Sequence, residues 1–117
     1  MKQEEMKGRT KEFAKRVINL CRQLPETQEG RLVSNQIFRS GTSVGANYRA
    51  ACRARSKADF VAKLGIVLEE ADESLYWLEI LAETRIIKID HLTPLIKEAD
   101  ELVAIFVTSI NTAKSHK

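Results

Sequence analysis

The stretch Asn35-Gln36-Ile37-Phe38-Arg39-Ser40-Gly41-Thr42-Ser43-Val44-Gly45-Ala46-Asn47-Tyr48 decides the fold of this chain. When it is placed on an α-helix, three faces separate, because side chains three and four positions apart share a face. Three distinct faces are typical of a central bundle helix that also meets something outside the bundle. The apolar and small face contains Ile37, Gly41, Val44, Tyr48 and Ala51, the polar seam contains Gln36, Ser40, Ser43 and Asn47, and the third face contains Arg39, Thr42, Ala46, Arg49 and Arg53.

The chain has the length of one domain and few helix breakers. It has 117 residues with two prolines and five glycines, and 44% of it is hydrophobic although only 6% is aromatic. This composition is typical of a helical bundle, and apolar residues recur at helical spacing in four segments. We predict a single domain, residues 1–117, that folds as an all-α, antiparallel up-down-up-down four-helix bundle with helices at about 10–24, 31–54, 57–84 and 91–114.

Polar residues mark the expected starts of three helices. Thr10 is expected to cap the first helix. Ser56 is expected to cap the third, with Asp59 three positions later completing a pattern like a capping box. Either Asp90 or Thr93 is expected to cap the fourth.

Gly41 and Gly45 lie inside the predicted second helix. Each costs about 1 kcal/mol relative to alanine at such a position, so their presence indicates the close approach of another backbone. Two alternatives remain open from the sequence. The approaching helix belongs either to the same bundle or to another subunit.

The net charge of +3 hides a strong asymmetry along the chain. Residues 31–63 contain seven basic and one acidic side chain, whereas residues 69–101 contain three basic and ten acidic ones. Opposite charges on neighbouring helices favour antiparallel packing within a chain or association between chains. A basic face is also suited to nucleic acid, and the candidate contacts are Arg39, Arg49, Arg53, Arg55 and Lys57.

A second set of side chains on the third helix lies outside its core stripe. Its members are Ile66, Glu70, Glu73, Trp77 and Ile80. We interpret this set as the contact surface of a homo-oligomer, because exposed apolar residues at one place usually mark an interface. The alternative is that Trp77 folds over a loop or the N-terminal arm of its own chain. If Glu70 and Glu73 are desolvated at the contact they need cations, which we expect from the arginine face of the next copy.

The sequence argues against catalysis and against bound cofactors. The two histidines, His91 and His116, do not form the Glu-x-x-His motifs of metal bundles, so we expect no metal site. There is neither a glycine-rich phosphate loop nor a plausible catalytic triad. We therefore predict that the protein is not an enzyme and has no cofactor.

Two features bear on where the protein works. The chain lacks both a hydrophobic leader and a stretch long enough to span a membrane, so we expect a cytoplasmic protein with no membrane partner. Cys21 and Cys52 have no nearby cysteine or histidine in sequence, and we expect free thiols.

Two functions remain open. The first is an oligomeric protein that binds RNA or DNA through the basic face of its second helix. The alternative is a structural or scaffold oligomer that binds a protein partner and no nucleic acid. The polar seam also allows two interpretations. Its side chains either form hydrogen bonds that set the helix register, or they form a surface that binds a partner's backbone or a phosphate.

Several motifs resemble a known family of bacterial proteins. They are the segments 32–40 and 42–47, the pair Arg55-Ser56, Phe60, and the run 69–81. Across about residues 13–110 the chain resembles the 23S rRNA-intervening-sequence proteins, also labelled S23 ribosomal proteins. That resemblance implies an up-down-up-down bundle and a ring-like homopentamer. In a related protein, the accessory variability determinant of diversity-generating retroelements, it also implies binding of nucleic acid and of a reverse transcriptase.

The chain departs from this family at the end of the second helix. Many members have Ala-Glu-Gly followed by another glycine at that place, whereas this chain has Arg49-Ala50-Ala51-Cys52-Arg53. The substitution removes one acidic residue and both glycines, so the turn into the third helix is more basic than in the family pattern.

Overall fold

Four long antiparallel helices make up the protein, whose computed structural model describes residues 2–116. They are α1 (Gln3–Gln23), α2 (Gln28–Cys52), α3 (Lys57–Glu83) and α4 (Thr93–Ser115), and a one-turn 3-10 helix, Ile89–His91, precedes α4. The predicted all-α four-helix bundle is confirmed. The body measures 49 × 20 × 19 Å, and within residues 2–116 no helix has the length and apolar character of a membrane span.

The first helix begins earlier than predicted, at Gln3 instead of Thr10. Thr10 is fully buried inside α1, and its hydroxyl donates to the Met6 carbonyl at 2.9 Å. A hydroxyl that bonds four residues back does not end a helix. Met6 is also buried and anchors the additional turns to the core. The second helix likewise begins earlier, because Thr27 accepts from the Gly30 amide at 3.1 Å.

The two remaining connections show one confirmed cap and one wrong prediction. Ser56 caps α3 as predicted, accepting from the Asp59 amide at 3.1 Å. Neither Asp90 nor Thr93 caps α4, which follows Leu92 without a side-chain cap. The Leu92 side chain is fully buried, and this burial holds the start of α4 in place of a cap.

The apolar face of α2 lies in the core as predicted. Ile37, Val44, Tyr48 and Ala51 are buried, and Tyr48 packs at 5.8 Å from the Phe106 ring of α4. Burial raises the pKa of the Tyr48 hydroxyl well above its ordinary value. The largest fully buried side chains of the other helices complete the core and include Phe13, Val17, Leu64, Leu78, Leu102 and Phe106.

The two glycines of α2 allow α1 to approach closely within the same chain. A Cβ on Gly41 would lie 2.8 Å from both methyl carbons of Val17. A Cβ on Gly45 would lie 3.2 Å from the Thr10 hydroxyl oxygen. These distances are shorter than ordinary van der Waals contacts, so the intrachain alternative accounts for both glycines.

Candidate nucleic-acid interface

Helix α2 lies between α1 and α3 and presents different side chains to each neighbour. We call its border with α3 the α2/α3 seam, which includes Arg39, Ser40, Glu70, Glu73 and Ser74. We call the cleft along its other border, which includes Lys7, Lys11, Thr42, Arg49 and Arg53, the α1/α2 groove. The predicted arginine face of α2 is therefore divided between two surfaces.

At the α2/α3 seam, Arg39 is neutralised by two carboxylates of its own chain. Its guanidinium donates to Glu70 at 3.1 Å and also to Glu73. The hydrogen bond from Arg39 holds the pKa of the Glu73 carboxyl below its ordinary value, and Trp77 Nε1 donates to the same carboxylate at 3.2 Å. The two acidic side chains thus have an intrachain partner, and the expected pairing with arginines of the next copy is not required.

The polar seam predicted on α2 forms local hydrogen bonds at this border. Ser40 is fully buried, and the Ser74 hydroxyl lies 3.0 Å from its own. Ser43 donates to the Arg39 carbonyl at 2.6 Å, and Asn47 donates to the Ser43 carbonyl at 2.8 Å. The fourth member, Gln36, is half-buried. Across residues 2–116 no buried side-chain nitrogen or oxygen lacks a partner, which favours the register interpretation.

The α1/α2 groove contains positive charge that carboxylates do not neutralise, unlike the α2/α3 seam. Near the start of α1 and the end of α2 it widens to a cavity of about 370 Å³. Lys7 contacts Glu4 at 3.1 Å, but none of the ion pairs formed among residues 2–116 involves Lys11, Arg49 or Arg53. The cavity is lined by four cationic side chains and one carboxylate, namely Lys7, Lys11, Arg49, Arg53 and Glu4, together with Gly8.

Small residues form the floor of the groove farther along the helices. An adjoining cavity of about 180 Å³ is lined by the two lysines, by Arg49 and by short side chains. The short residues keep the floor accessible beneath the long cationic side chains. They are Ala14, Thr42, Gly45 and Ala46.

Sequence reasoning did not identify Lys7 and Lys11 as part of the site. The first helix was expected to start at Thr10, which left Lys7 outside any helix. Met6 was the available signal, because it precedes Phe13 by seven positions and extends the core stripe. With that extension, Lys7 and Lys11 stand one turn apart on the side of α1 that faces the groove.

The other predicted contacts, Arg55 and Lys57, lie beyond the end of α2. Both are exposed, Arg55 in the connection and Lys57 at the first position of α3. The connection itself needs no glycine, because the φ of Arg53 is −101°, a value open to any residue, and the Arg53 and Ala54 amides donate to the Ala50 and Ala51 carbonyls. The two side chains extend the basic surface around the end of the bundle at which Arg53 lies.

The predicted oligomer surface on α3 is partly covered by its own chain. Trp77 and Ile80 pack in part against the core, whereas Ile66 is 46% exposed. Tyr76 is 53% exposed and stands edge-on to Trp77, with ring centres 5.0 Å apart. The large apolar side chains that remain exposed on α3 are therefore Ile66 and Tyr76, which are ten positions apart.

Groups associated with metal or redox chemistry are dispersed. Among residues 2–116 no three His, Cys, Asp or Glu side chains are grouped so that they could hold a metal ion. Cys21 and Cys52 are free thiols. Burial raises the pKa of Cys21 above its ordinary value, which makes that thiol a poorer nucleophile.

Comparison with known proteins agrees with this architecture. The sequence model of a family described as 23S rRNA-intervening sequence protein matches residues 2–108. A crystal structure from Bacteroides thetaiotaomicron VPI-5482, described as a protein with unknown function from the S23 ribosomal protein family, is 40% identical to this chain. The match covers 95% of this chain and 99% of that one, with a TM-score of 0.86. No protein with a curated description matches the chain.

Proposed function

We propose that this chain, which belongs to the 23S rRNA-intervening sequence protein family, is a non-catalytic protein that binds nucleic acid in the α1/α2 groove. The observation that carries the proposal is the convergence of Lys7, Lys11, Arg49 and Arg53 on one cavity. Phosphates are the natural partners of such a cluster, because each contact releases counterions from the nucleic acid.

The spacing of these cations suits an extended polyanion better than a single small anion. Lys7 and Lys11 are one helical turn apart on α1, and Arg49 and Arg53 are one turn apart on α2, about 6 Å along each axis. Two antiparallel helices thus present two rows of positive charge. Arg55 and Lys57 continue the basic surface at one end. Arg39 is not included, because Glu70 and Glu73 already neutralise it.

Salt dependence of binding tests the proposal. Labelled RNA and DNA oligonucleotides are titrated with the protein between about 50 and 200 mM salt. The variant Lys11→Gln/Arg49→Gln should bind more weakly and lower the slope of log affinity against log salt by about 1.4 to 1.8, from two lost phosphate contacts. Wild-type protein that binds neither polymer at the lowest salt would overturn the proposal.

A charge-matched variant controls for the loss of net charge. Lys88 and Lys97 are exposed in the α3–α4 connection and on α4, away from the groove. The variant Lys88→Gln/Lys97→Gln removes the same number of charges and should retain nearly the wild-type slope. An equal loss in both variants would mean that total charge, and not the groove, determines binding.

We also propose that the protein acts in the cytoplasm as a homo-oligomer assembled through α3, with the ring of five implied by the family resemblance. The support is the exposed Ile66, which lies on the same face of α3 as the half-buried Trp77 and Ile80, about three to four turns away. Ile66→Glu should reduce the mass measured by light scattering. Val107→Glu, at an exposed position of α4, should not. A wild-type mass of 13.2 kDa at micromolar concentration would contradict assembly.

The scaffold alternative rests on the same α3 surface. In that case Ile66 and Tyr76 contact a protein partner, and the basic groove has no nucleic-acid ligand. An intact oligomer that shows no salt-dependent binding of RNA or DNA would favour this alternative.

A further inference from the structure

From its basic end the α1/α2 groove continues along α2 to an exposed aromatic side chain. Phe38 is 48% exposed, although one face of α2 is buried along the whole length of the helix. Phe38, Thr42, Gly45 and Arg49 are spaced by four, three and four positions, so they follow one line along α2. Because the last three line the groove, Phe38 stands on the same border of α2.

The opposite wall of the groove shows the same change from basic to apolar. Lys7, Lys11, Ala14 and Ile18 are spaced by four, three and four positions on α1. Thr10 faces Gly45 and Val17 faces Gly41, so the antiparallel register places Ile18 near the level of Phe38. The groove is therefore basic at one end and apolar beyond its middle.

Positive charge returns at the far end of the same border. A third cavity, of about 350 Å³, contains Arg22 from α1 and Arg31 from α2 in its lining. Arg31 donates to the Glu26 carbonyl, which leaves its charge uncompensated, and no ion pair among residues 2–116 includes either arginine. Glu26 also lines this cavity. The order along the groove is cationic, apolar, cationic.

The lengths of these regions can be compared with a nucleic-acid strand. Arg49 and Phe38 are eleven positions apart, about 16 Å along α2, and Phe38 and Arg31 are seven apart, about 10 Å. A double helix presents phosphates to such a surface while its base faces are hidden in the stack. An exposed phenyl ring between two cationic regions can stack only on a base that is unpaired.

We propose that the ligand of the α1/α2 groove is a single-stranded nucleic acid with a base stacked on Phe38. This inference rests on the proposed function and names the class of polymer. Phosphates on one side of that base contact Lys7, Lys11, Arg49 and Arg53, and phosphates on the other side contact Arg22 and Arg31. Phe38 gives the site its preference for unpaired strands, and the cations give it most of its affinity.

The test compares single strands with a duplex at one salt concentration. The probes are fluorescent uridine and deoxythymidine oligomers of about 12 nucleotides and a blunt duplex of the same length, measured by anisotropy. Wild-type protein should prefer both single strands over the duplex. Phe38→Leu should weaken single-strand binding roughly 5- to 100-fold and leave duplex binding unchanged, whereas Phe38→Trp should restore it.

Val107→Ala is the control, because Val107 is an exposed apolar residue of α4, at 42% against 48% for Phe38, and belongs neither to the groove nor to the α3 surface. It should leave binding of all three probes unchanged. Equal affinity for duplex and single strands, with no effect of Phe38→Leu, would overturn this inference while the proposed function stands. Absence of binding to every probe would overturn both. A Phe38→Leu variant that loses oligomeric mass but binds normally would assign Phe38 to a protein contact and also overturn the inference.

Discussion

The two borders of α2 both contain arginines, but the arginine is paired with carboxylates at one border and unpaired at the other. At the α2/α3 seam, Arg39 binds Glu70 and Glu73, and its charge is satisfied within the chain. In the α1/α2 groove, Arg49 and Arg53 form none of the ion pairs found among residues 2–116 and line an open cavity. The comparison shows that an arginine stays available to a ligand where no carboxylate pairs with it, since Glu4 of α1 lines the same cavity as Arg49 and Arg53 but pairs with Lys7.

The two borders also differ in how the helices are held together. At the groove, Gly41 and Gly45 allow the backbones of α1 and α2 to approach each other. At the seam, a buried pair of hydroxyls joins Ser40 to Ser74. A close helix contact at glycines is weakened when atoms are added to the glycines. A contact made by hydrogen bonds is weakened when a donor or an acceptor is removed.

The largest expected effect comes from adding a methyl group at the groove. In Gly41→Ala the new Cβ meets Val17, whose branched side chain has little freedom to move, so we expect a loss of about 1 to 3 kcal/mol in the free energy of unfolding. Gly65→Ala on α3 is the matched control, because apart from its own helical turn nothing lies within 4 Å of its added Cβ. It should gain about 0.5 to 1 kcal/mol from helix propensity. Urea unfolding measures both, and a Gly41→Ala protein as stable as Gly65→Ala would contradict the close crossing.

A smaller effect is expected from removing a hydroxyl at the seam. Ser74→Ala leaves the buried Ser40 hydroxyl with only the Ile37 carbonyl, 3.5 Å away, and should cost about 1 kcal/mol. Adding Ser40→Ala removes the hydroxyl that is left with this single long hydrogen bond, so the double variant should lose less than the sum of the two single losses. Strict additivity in urea unfolding would show that the two hydroxyls do not interact.

The smallest effect concerns acid stability and separates Arg39 from Arg49. Because Arg39 lowers the folded-state pKa of Glu73, the stabilisation is present above the unfolded-state pKa of about 4.3 and is lost as pH falls through the folded-state pKa. Arg39→Gln should therefore flatten the fall in stability below about pH 4.3, by a small amount because the Arg39 side chain is 52% exposed and solvent screens the pair. Arg49→Gln should not alter the acid profile. Equal changes in both variants, measured by unfolding at several pH values, would contradict the division of α2 into a paired and an unpaired border.

Particular residues show how much of this could be predicted. The core face from Ile37 to Ala51 and the cap at Ser56 follow from local spacing, and both are confirmed. Lys7 was missed because Thr10 resembles a helix cap, and only the burial of Thr10 against Gly45 shows that α1 passes through it. A threonine near a helix start can either cap the helix or lie inside it and bond to the carbonyl four residues back. The packing around the side chain decides between the two.

The sequence by itself determined that this chain is an all-α bundle, since helical periodicity and capping are local properties of the chain. It also determined that positive charge is concentrated on α2 and negative charge on α3. Only the tertiary structure decided which of those charges cancel. Arg39 differs from Arg49 by the helix that faces it, and the identity of that helix depends on the antiparallel packing and register of three successive helices. The same register brings Lys7 and Lys11 to Arg49 and Arg53, because α1 and α2 pack closely through two glycines, of which Gly45 lines the groove.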